Sequence, residues 1–389
     1  DERRGWATLP LQQLDPIAEH AYWVALTLVP GVGPVSFGRL LARYGSARGA
    51  WAAGEALLEE VDRPPADALH ELRRLRRVGP RALLERIEAR LAAVPGRIVT
   101  VLDPGYPAPL GSIDPRPPVL YVAGDDAAFA GPAVAVVGTR RATGYGRSGA
   151  IQVADALARG GIAVVSGLAL GIDGEAHQAA LEAGGRTVAV LPSPLDRIYP
   201  PRHRGLAARI VAAGGALVSE LTPGQQHGRP DFARRNRIIA GLSTATVIVE
   251  APDRSGALLT AAAATAIGRD VYAIPGPMDA VASRGCNRLI ADNLASLVTS
   301  PAALLTALGI RDVERGATTV ATLSEPEALV LARLLRRPAS VDELIGPTGL
   351  ATGALASALT LLEARGLVSS YGGATFHPTV AARRLARVV

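Results

Sequence analysis

Lysine is absent from this 389-residue chain, so all 41 basic residues are arginine. A GC-rich genome explains such a bias without any functional cause. The chemical consequence stands all the same, because the arginine fork of planar donors suits phosphate and stacks on bases. One cysteine, Cys286, excludes an intrachain disulfide and a thiolate zinc cluster, and it fits a reducing compartment. Aromatic residues make up only 4% of the chain, so stacking on a ligand ring has to rest on very few positions. No apolar run reaches the ~18 residues of a membrane span, and Asp1 to Trp6 lack the basic-then-apolar order of a signal peptide. These absences predict a soluble, cytoplasmic protein with no membrane contact. The chain also has no P-loop, no metal-spaced set of His and Cys and no Ser-His-Asp arrangement, so no metal and no cofactor are expected.

What is present is core material: 49% of residues are hydrophobic and 20% charged, the composition of a globular protein. The length predicts two or three domains. The net charge of +6 is unevenly spread. Residues 1–130 carry 15 Arg against 16 acidic residues, 131–300 carry 17 against 12, and 301–389 carry 9 against 7. A polyanion would therefore meet the middle segment, provided its arginines cluster.

Hydrophobic periodicity divides the chain. Residues 1–95 read as an all-α domain, with Leu40, Leu41, Leu57, Leu58, Leu83, Leu84, Ile87 and Leu91 at helical spacings. Its turn Pro30-Gly31-Val32-Gly33-Pro34 has the form of a helix-hairpin-helix phosphate loop, although a plain helical hairpin fits the same residues. Residues 96–308 change rhythm. Apolar runs at Ala133–Val137, Ile162–Val165, Thr187–Leu191, Ala216–Val218, Ala245–Val249 and Val271–Ile274 alternate with helical patterns. Such runs suit a parallel sheet covered on both faces, a Rossmann-like doubly wound fold. Residues 309–323 read as a linker, and 324–389 as a winged helix whose wing turns at Gly372-Gly373. Its third helix carries only Arg365, which favours a protein-contact or structural role over reading bases.

In open α/β sheets anions sit at the carboxyl ends of strands, where loops and helix N-termini present N–H groups. After the first strand of the parallel region comes Gly138-Thr139-Arg140-Arg141-Ala142-Thr143-Gly144-Tyr145-Gly146-Arg147, and after the second comes Ser166-Gly167-Leu168-Ala169-Leu170-Gly171-Ile172-Asp173. The dinucleotide fingerprint is missing from both. The densest basic cluster is Arg229 with Phe232-Ala233-Arg234-Arg235-Asn236-Arg237. On a helix Arg234 and Arg237 share a stripe with Gly241 while Arg235 falls with Ile238 and Ile239, so the arginines must point in different directions.

Those segments, together with Ala189-Val190-Leu191, Leu195-Asp196-x-x-Tyr199-Pro200, Ser219-Glu220, Val249-Glu250-Ala251, Ser255-Gly256 and Ala273-Ile274-Pro275-Gly276, occur in the order and spacing of the DNA-processing protein A (Smf) family. The chain resembles that family over roughly residues 97–298, and its flanking modules are similar to the SAM or helix-hairpin-helix-like domain and the winged helix of longer members. The resemblance implies a non-enzymatic protein that binds single-stranded DNA, protects incoming DNA and loads the RecA recombinase during natural transformation. The implied partners are single-stranded DNA, RecA, single-strand-binding protein and a second copy of the chain. Carried over by motif, the DNA pocket comprises Gly138, Thr139, Arg140, Ser166, Gly167, Phe232, Arg234, Arg235, Asn236 and Arg237. The dimer interface comprises Asn287, Leu289, Ile290, Leu294 and Leu297. Three departures touch local loop shape: Pro192-Ser193-Pro194 in place of a glycine-rich turn, Ala233 in place of proline, and Asn293-Leu294 in place of Gly-Ala.

A second reading is a nucleotide-hydrolysing enzyme of the lysine-decarboxylase-like Rossmann group, with Asp173, Glu220, Glu250 and Arg140 as its acid and phosphate-holding residues. The glycine-rich glutamate motif of that group is absent. His177, four residues after Asp173, fits either a general base or a packed core position.

Overall fold

The apolar runs become strands of one sheet, because each is apolar on both faces and both faces are covered by helices. The computed structural model describes Trp6 and residues 11–309, 323–365, 367–371 and 375–378, and it divides into two compact units, Asp1–Val313 and Glu314–Val389.

The first unit begins with helices α1 (Pro16–Thr27), α2 (Pro34–Tyr44), α3 (Ala47–Ala52), α4 (Ala68–Val78) and α5 (Pro80–Leu91). It continues as β1 (Gly96–Thr100), β2 (Val119–Gly124), β3 (Ala133–Val137), α6 (Gly144–Arg159), β4 (Ala163–Ser166), α7 (Ile172–Glu182), β5 (Thr187–Leu191), α8 (Arg204–Ala212), β6 (Ala216–Ser219) and α9 (Arg229–Leu242). It closes with β7 (Ala245–Ile248), α10 (Gly256–Ala266), β8 (Asp270–Ala273), α11 (Arg284–Ala291), β9 (Ser296–Leu297) and α12 (Pro301–Ala307). The nine strands are ordered β1-β2-β6-β5-β4-β3-β7-β8-β9. Pairing is antiparallel at β1–β2 and β2–β6 and parallel throughout the rest. This is the doubly wound, mostly parallel sheet expected, extended on one side by an antiparallel pair.

Alternation along β3 shows how the layers form. Val134 and Val136 belong to one apolar cluster with Leu157, Ala176 and Leu304 of α6, α7 and α12, whereas Ala135 and Val137 belong to another with Ile238, Ile239 and Ala261 of α9 and α10. Burying each large side chain of this kind contributes about 1.5–3 kcal/mol. The chain winds outward through β3, β4, β5 and β6, then returns to place β7 on the other side of β3. The carboxyl ends of β3 and β7 therefore form the topological switch point, where ligands bind in open α/β sheets.

The expected boundary at residue 95 falls between α5 and β1, but the helices do not have a separate core. Trp23, Phe37, Leu84 and Leu91 belong to one apolar cluster with Ala189, Leu191, Leu206 and Leu217 from β5, α8 and β6. Trp6, Trp23 and Phe37 of this cluster meet with ring centroids 4.9–6.1 Å apart, Trp6 stacked on Phe37 and Trp23 tilted against both. On the hairpin, the α2 arginines Arg39 and Arg43 are paired with Asp62 and with Glu59 and Glu60.

The second unit contains α13 (Glu325–Arg336), β10 (Ala339–Ser340), α14 (Val341–Thr348), α15 (Thr352–Ala364), β11 (Val368–Tyr371) and β12 (Thr375–Pro378), with a three-stranded sheet in the order β10-β12-β11. Capping boxes Ser324–Glu327 and Ser340–Glu343 start α13 and α14. Leu331, Leu344, Leu355 and Leu362 fill its own core. This is the winged-helix pattern. Arg365, just beyond α15, lies 3.2 Å from the buried carboxylate of Glu327. The wing turn at Gly372-Gly373 and most of the expected linker lie outside the described residues. Among the described residues no single helix is long and apolar enough to cross a membrane.

Candidate nucleic-acid interface

Two buried carboxylates fold the loops at the switch point. Glu250, just beyond β7, accepts the Thr143 N–H at 2.9 Å and its hydroxyl at 2.6 Å, while its main-chain carbonyl accepts the Thr139 N–H at 2.7 Å. The loop after β3 is thereby tied to β7. A Cβ on Gly146 would stand 2.4 Å from the Glu250 carboxylate, so the glycine spacing of this loop serves close packing. Thr143 also caps α6 by accepting the Gly146 N–H at 3.1 Å. Asp173 performs the corresponding task after β4, accepting from the Gly167 and Ala169 N–H groups at 3.1 and 3.4 Å. Burial raises its pKa, and the neighbouring Arg235 charge opposes that rise.

The loops enclose a cleft of about 380 Å³ lined from four directions: Gly138, Thr139, Arg140 and Arg141 after β3, Ala169 and Asp173 after β4, Arg229, Phe232, Arg235 and Asn236 on α9, and Arg254, Ser255, Gly256 and Thr260 at the start of α10. Four of the arginines, Arg140, Arg141, Arg229 and Arg254, are exposed, and among the described residues their side chains make no ion pair and no hydrogen bond. The neighbouring arginines differ. Arg147, Arg234 and Arg237 lie 3.6 Å from Glu175, 3.6 Å from Asp231 and in direct contact with Glu220, respectively. The cleft thus gathers uncompensated positive charge beside the N-terminus of α10, where the helix dipole adds to it.

Arg234, Arg235 and Arg237 of α9 diverge, as the helical stripes require. Arg234 is exposed beside Asp231. Arg237 turns away from the cleft, donating to the Pro115 carbonyl at 3.0 Å and to Glu220. Arg235 turns inward and is 7% exposed. Its Nη1 donates to the carbonyls of Gly167 and Val190 at 2.6 and 2.5 Å, and its Nε to Asn236 at 3.2 Å. Burial lowers its pKa to about 10, with Asp173 opposing and Arg140 adding to the shift. Gly167 is where that guanidinium passes, since a Cβ there would meet Nη1 at 2.2 Å. Ser166 is fully buried and donates to the Val136 carbonyl at 2.7 Å.

The motif residues therefore separate. Gly138, Thr139, Arg140, Phe232, Arg235 and Asn236 line the cleft. Gly167 lines an adjoining niche, together with Arg140, Leu170, Tyr199, Phe232 and Arg235. Ser166, Arg234 and Arg237 line neither: Ser166 is built into the strand end, and the two arginines face other directions with acidic neighbours. Arg254, Ser255 and Thr260 were not picked out as site residues, and neither was Tyr199. The sign available was the cap sequence Ser255-Gly256, which follows the loop after β7, a strand that neighbours β3. Phe232 does not stand alone. Arg140 lies over its ring, and Tyr199 and His227 pack around it with centroids 5.8 and 6.3 Å away.

The acidic residues of the hydrolytic reading are occupied within the fold: Asp173 by backbone N–H groups, Glu250 by Thr143 and Glu220 by Arg237. His177 is fully buried, with Nδ1 2.7 Å from the Thr187 hydroxyl. No cluster of His, Cys, Asp and Glu among the described residues has the geometry to hold a metal ion. Of the expected interface residues, Leu294 and Leu297 are exposed at and beside the edge strand β9. Leu289 and Ile290 pack partly against the sheet core. Asn287 is spent on Gly276, bonding both its N–H and its carbonyl at 3.0 Å.

Comparison with known proteins matches this arrangement. The model of the family described as DNA recombination-mediator protein A matches residues 97–309, and that of the DprA winged helix domain matches residues 315–374. A protein named Smf from Synechocystis is 36% identical over 395 residues, covering 92% of this chain and 98% of that one. The X-ray structure of DNA processing protein A from Streptococcus pneumoniae superposes with a TM-score of 0.56 at 33% identity, covering 74% of this chain and 97% of that one. DNA processing protein A from Helicobacter pylori, whose structure is described as showing a single-stranded DNA binding mode, superposes with a TM-score of 0.50 at 29% identity, covering 55% of this chain and 95% of that one. With the family match spanning more than half its length and this relative aligned almost end to end, the chain belongs to the DNA recombination-mediator protein A family.

Proposed function

We propose that this chain binds single-stranded DNA by its backbone in the switch-point cleft. The observation that carries this reading is the set of four arginines, Arg140, Arg141, Arg229 and Arg254, that line one cleft with no acidic partner among the described residues. Guanidinium groups left unneutralised beside a helix N-terminus suit a chain of phosphates, and the Phe232 ring beside them offers a face on which a base stacks. The Helicobacter relative named for its single-stranded DNA binding mode supports the same ligand.

We propose that this binding serves natural transformation, as the family resemblance implies. In the proposed sequence of events the protein, in the cytoplasm, covers incoming strands, meets DNA coated by single-strand-binding protein and loads RecA onto it without itself catalysing a reaction. A homodimer formed across the β9 edge, with Leu294 and Leu297 at its centre, fits the exposure of those two leucines.

The test compares Arg140→Ala/Arg254→Ala with Arg237→Ala for binding of fluorescent oligo(dT) across a salt series. The double variant is expected to bind at least about tenfold more weakly, with a log–log salt slope shallower by up to ~1.4, about 0.7 per lost phosphate contact. Arg237→Ala is expected to keep the wild-type slope. The opposite ranking of the two variants would refute the cleft assignment.

A further inference from the structure

Resting on the single-stranded DNA reading, we infer that His203 is a positioning residue for the cleft: by one hydrogen bond to Leu168 it fixes the loop after β4, and through that loop the seat of Arg140. Neither His203 nor Leu168 lines the cleft or the niche beside it. Residues close to them in the chain do: Gly167, Ala169 and Leu170 after β4, and Tyr199 and Pro200 after β5.

Leu168 has a φ of 55°, a left-handed conformation that is unfavourable for any residue with a Cβ and persists only where its surroundings hold it. Its side chain is fully buried, in one apolar cluster with Leu191, Leu195 and Leu206. The backbone on either side is tied down. Asp173 accepts the Gly167 and Ala169 N–H groups, Arg235 donates to the Gly167 carbonyl, and the Gly174 N–H donates to the Ala169 carbonyl at 3.1 Å. The Leu168 carbonyl accepts from the ring of His203, whose Nδ1 lies 2.8 Å away and therefore carries the proton. That ring, half-buried just before α8, occupies space that the first turn of α7 leaves open, since a Cβ on Gly174 would stand 2.6 Å from its Cε1.

The far end of the same loop bears on the arginine loop after β3. The Ile172 N–H donates to the Thr139 carbonyl at 3.3 Å. A Cβ on Gly171 would stand 2.4 Å from that oxygen and 2.8 Å from the carbonyl of Arg140, so backbone meets backbone with no side chain between them to yield. Relaxation of Leu168 toward an ordinary φ would carry residues 169–171 against Thr139 and Arg140 and move the guanidinium that grips phosphate. His203, reaching in from the loop after β5, thus holds a shape that DNA finds ready-made, and its loss is felt as a cost of ordering on binding.

The experiment measures binding of fluorescent oligo(dT) by the full chain across a salt series. His203→Ala is expected to bind about fivefold more weakly, the equivalent of one hydrogen bond, with the wild-type salt slope, because no phosphate contact is lost. His203→Asn, whose amide N–H stands near the position of Nδ1, should bind within about twofold of wild type. His203→Gln, whose amide reaches the position of Nε2 instead, should resemble His203→Ala. Gly174→Ala keeps the imidazole but displaces it, and adds a residue that favours the helix; it should weaken binding about fivefold in the wild-type chain and less than about twofold in His203→Ala. Should His203→Ala fail to fold, the Asn–Gln contrast and Gly174→Ala carry the test. A shallower salt slope in His203→Ala would make the imidazole itself a phosphate contact. That result, equal losses in His203→Asn and His203→Ala, or wild-type binding by every variant would overturn the positioning role and leave the DNA reading intact. Failure of the wild-type chain to bind the probe would overturn both.

Discussion

The guanidinium of Arg140 lies 4.8 Å from the centroid of the Phe232 ring. Arg140 comes from the loop after β3 and Phe232 from the first turns of α9, so the contact joins two segments that are far apart in the chain. It places a cation with unspent donors over one ring face, while Tyr199 and His227 hold the ring from its sides. On the proposed reading, phosphate and base would be met within a few ångströms of each other, as a nucleotide presents them.

Stacking on Phe232 predicts a specific loss. Phe232→Leu keeps much of the apolar volume and removes the aromatic face. Base–aromatic stacking is worth about 1–3 kcal/mol, so oligo(dT) affinity by fluorescence anisotropy should fall roughly tenfold, with Phe232→Tyr near wild type. A leucine variant that binds as well as wild type would remove Phe232 from the DNA contact.

Gly167 carries a second prediction, on stability. Its missing Cβ makes room for the Arg235 guanidinium, which two carbonyls hold in place. Gly167→Ala should destabilise the protein by about 1–3 kcal/mol through overpacking, lowering the denaturation midpoint and disturbing the floor of the cleft. Gly144→Ala is the control: nothing lies within 4 Å of a Cβ there. Equal midpoints for the two variants would mean that the Arg235 packing is dispensable.

His177 sets a pH dependence. The Thr187 hydroxyl donates to the Val164 carbonyl at 2.7 Å, so it accepts from His177 Nδ1–H, leaving Nε2 unprotonated, buried and without a partner. Burial, with the nearby charges of His203 and Arg235, lowers the pKa to about 3. The unfolded chain, with a histidine pKa of about 6.5, takes up a proton that the folded chain refuses. This contribution to stability is complete above pH ~6.5 and is lost as pH falls toward 3, at about 1.4 kcal/mol per unit. Unfolding free energy should drop by about 2 kcal/mol between pH 7.5 and 5.0 on this account. His177→Asn should show a shallower decline over that range, and parallel declines would assign the effect to other titrating groups; Asp173 is not one of them, since its raised pKa favours the folded chain as pH falls.

The sequence and the structure agree most where the signal is local. The parallel strands were legible because each is a short apolar run with both faces buried, and the divergence of Arg234, Arg235 and Arg237 followed from helical geometry alone. What Arg235 does was not legible. Its acceptors lie 68 and 45 residues away along the chain, and only the folded loops show that a residue matching a DNA-binding motif is spent on carbonyls. Arg237 was hidden in the same way by Glu220 and Pro115. Conversely, Arg254 carries no motif and joins the cleft because the sheet order brings β7 beside β3. Tyr199 and His227 reach Phe232 across loops whose paths no periodicity encodes.

The cluster that unites Trp23, Phe37 and Leu91 with Leu191, Leu206 and Leu217 limits how this protein can be dissected. A fragment beginning at β1 would present to water the side of the sheet that the leading helices now cover, and sticky oligomers would form before any oligonucleotide was added. DNA binding has to be mapped by point changes within the intact first unit, because cutting away its amino-terminal third removes half of a shared interior.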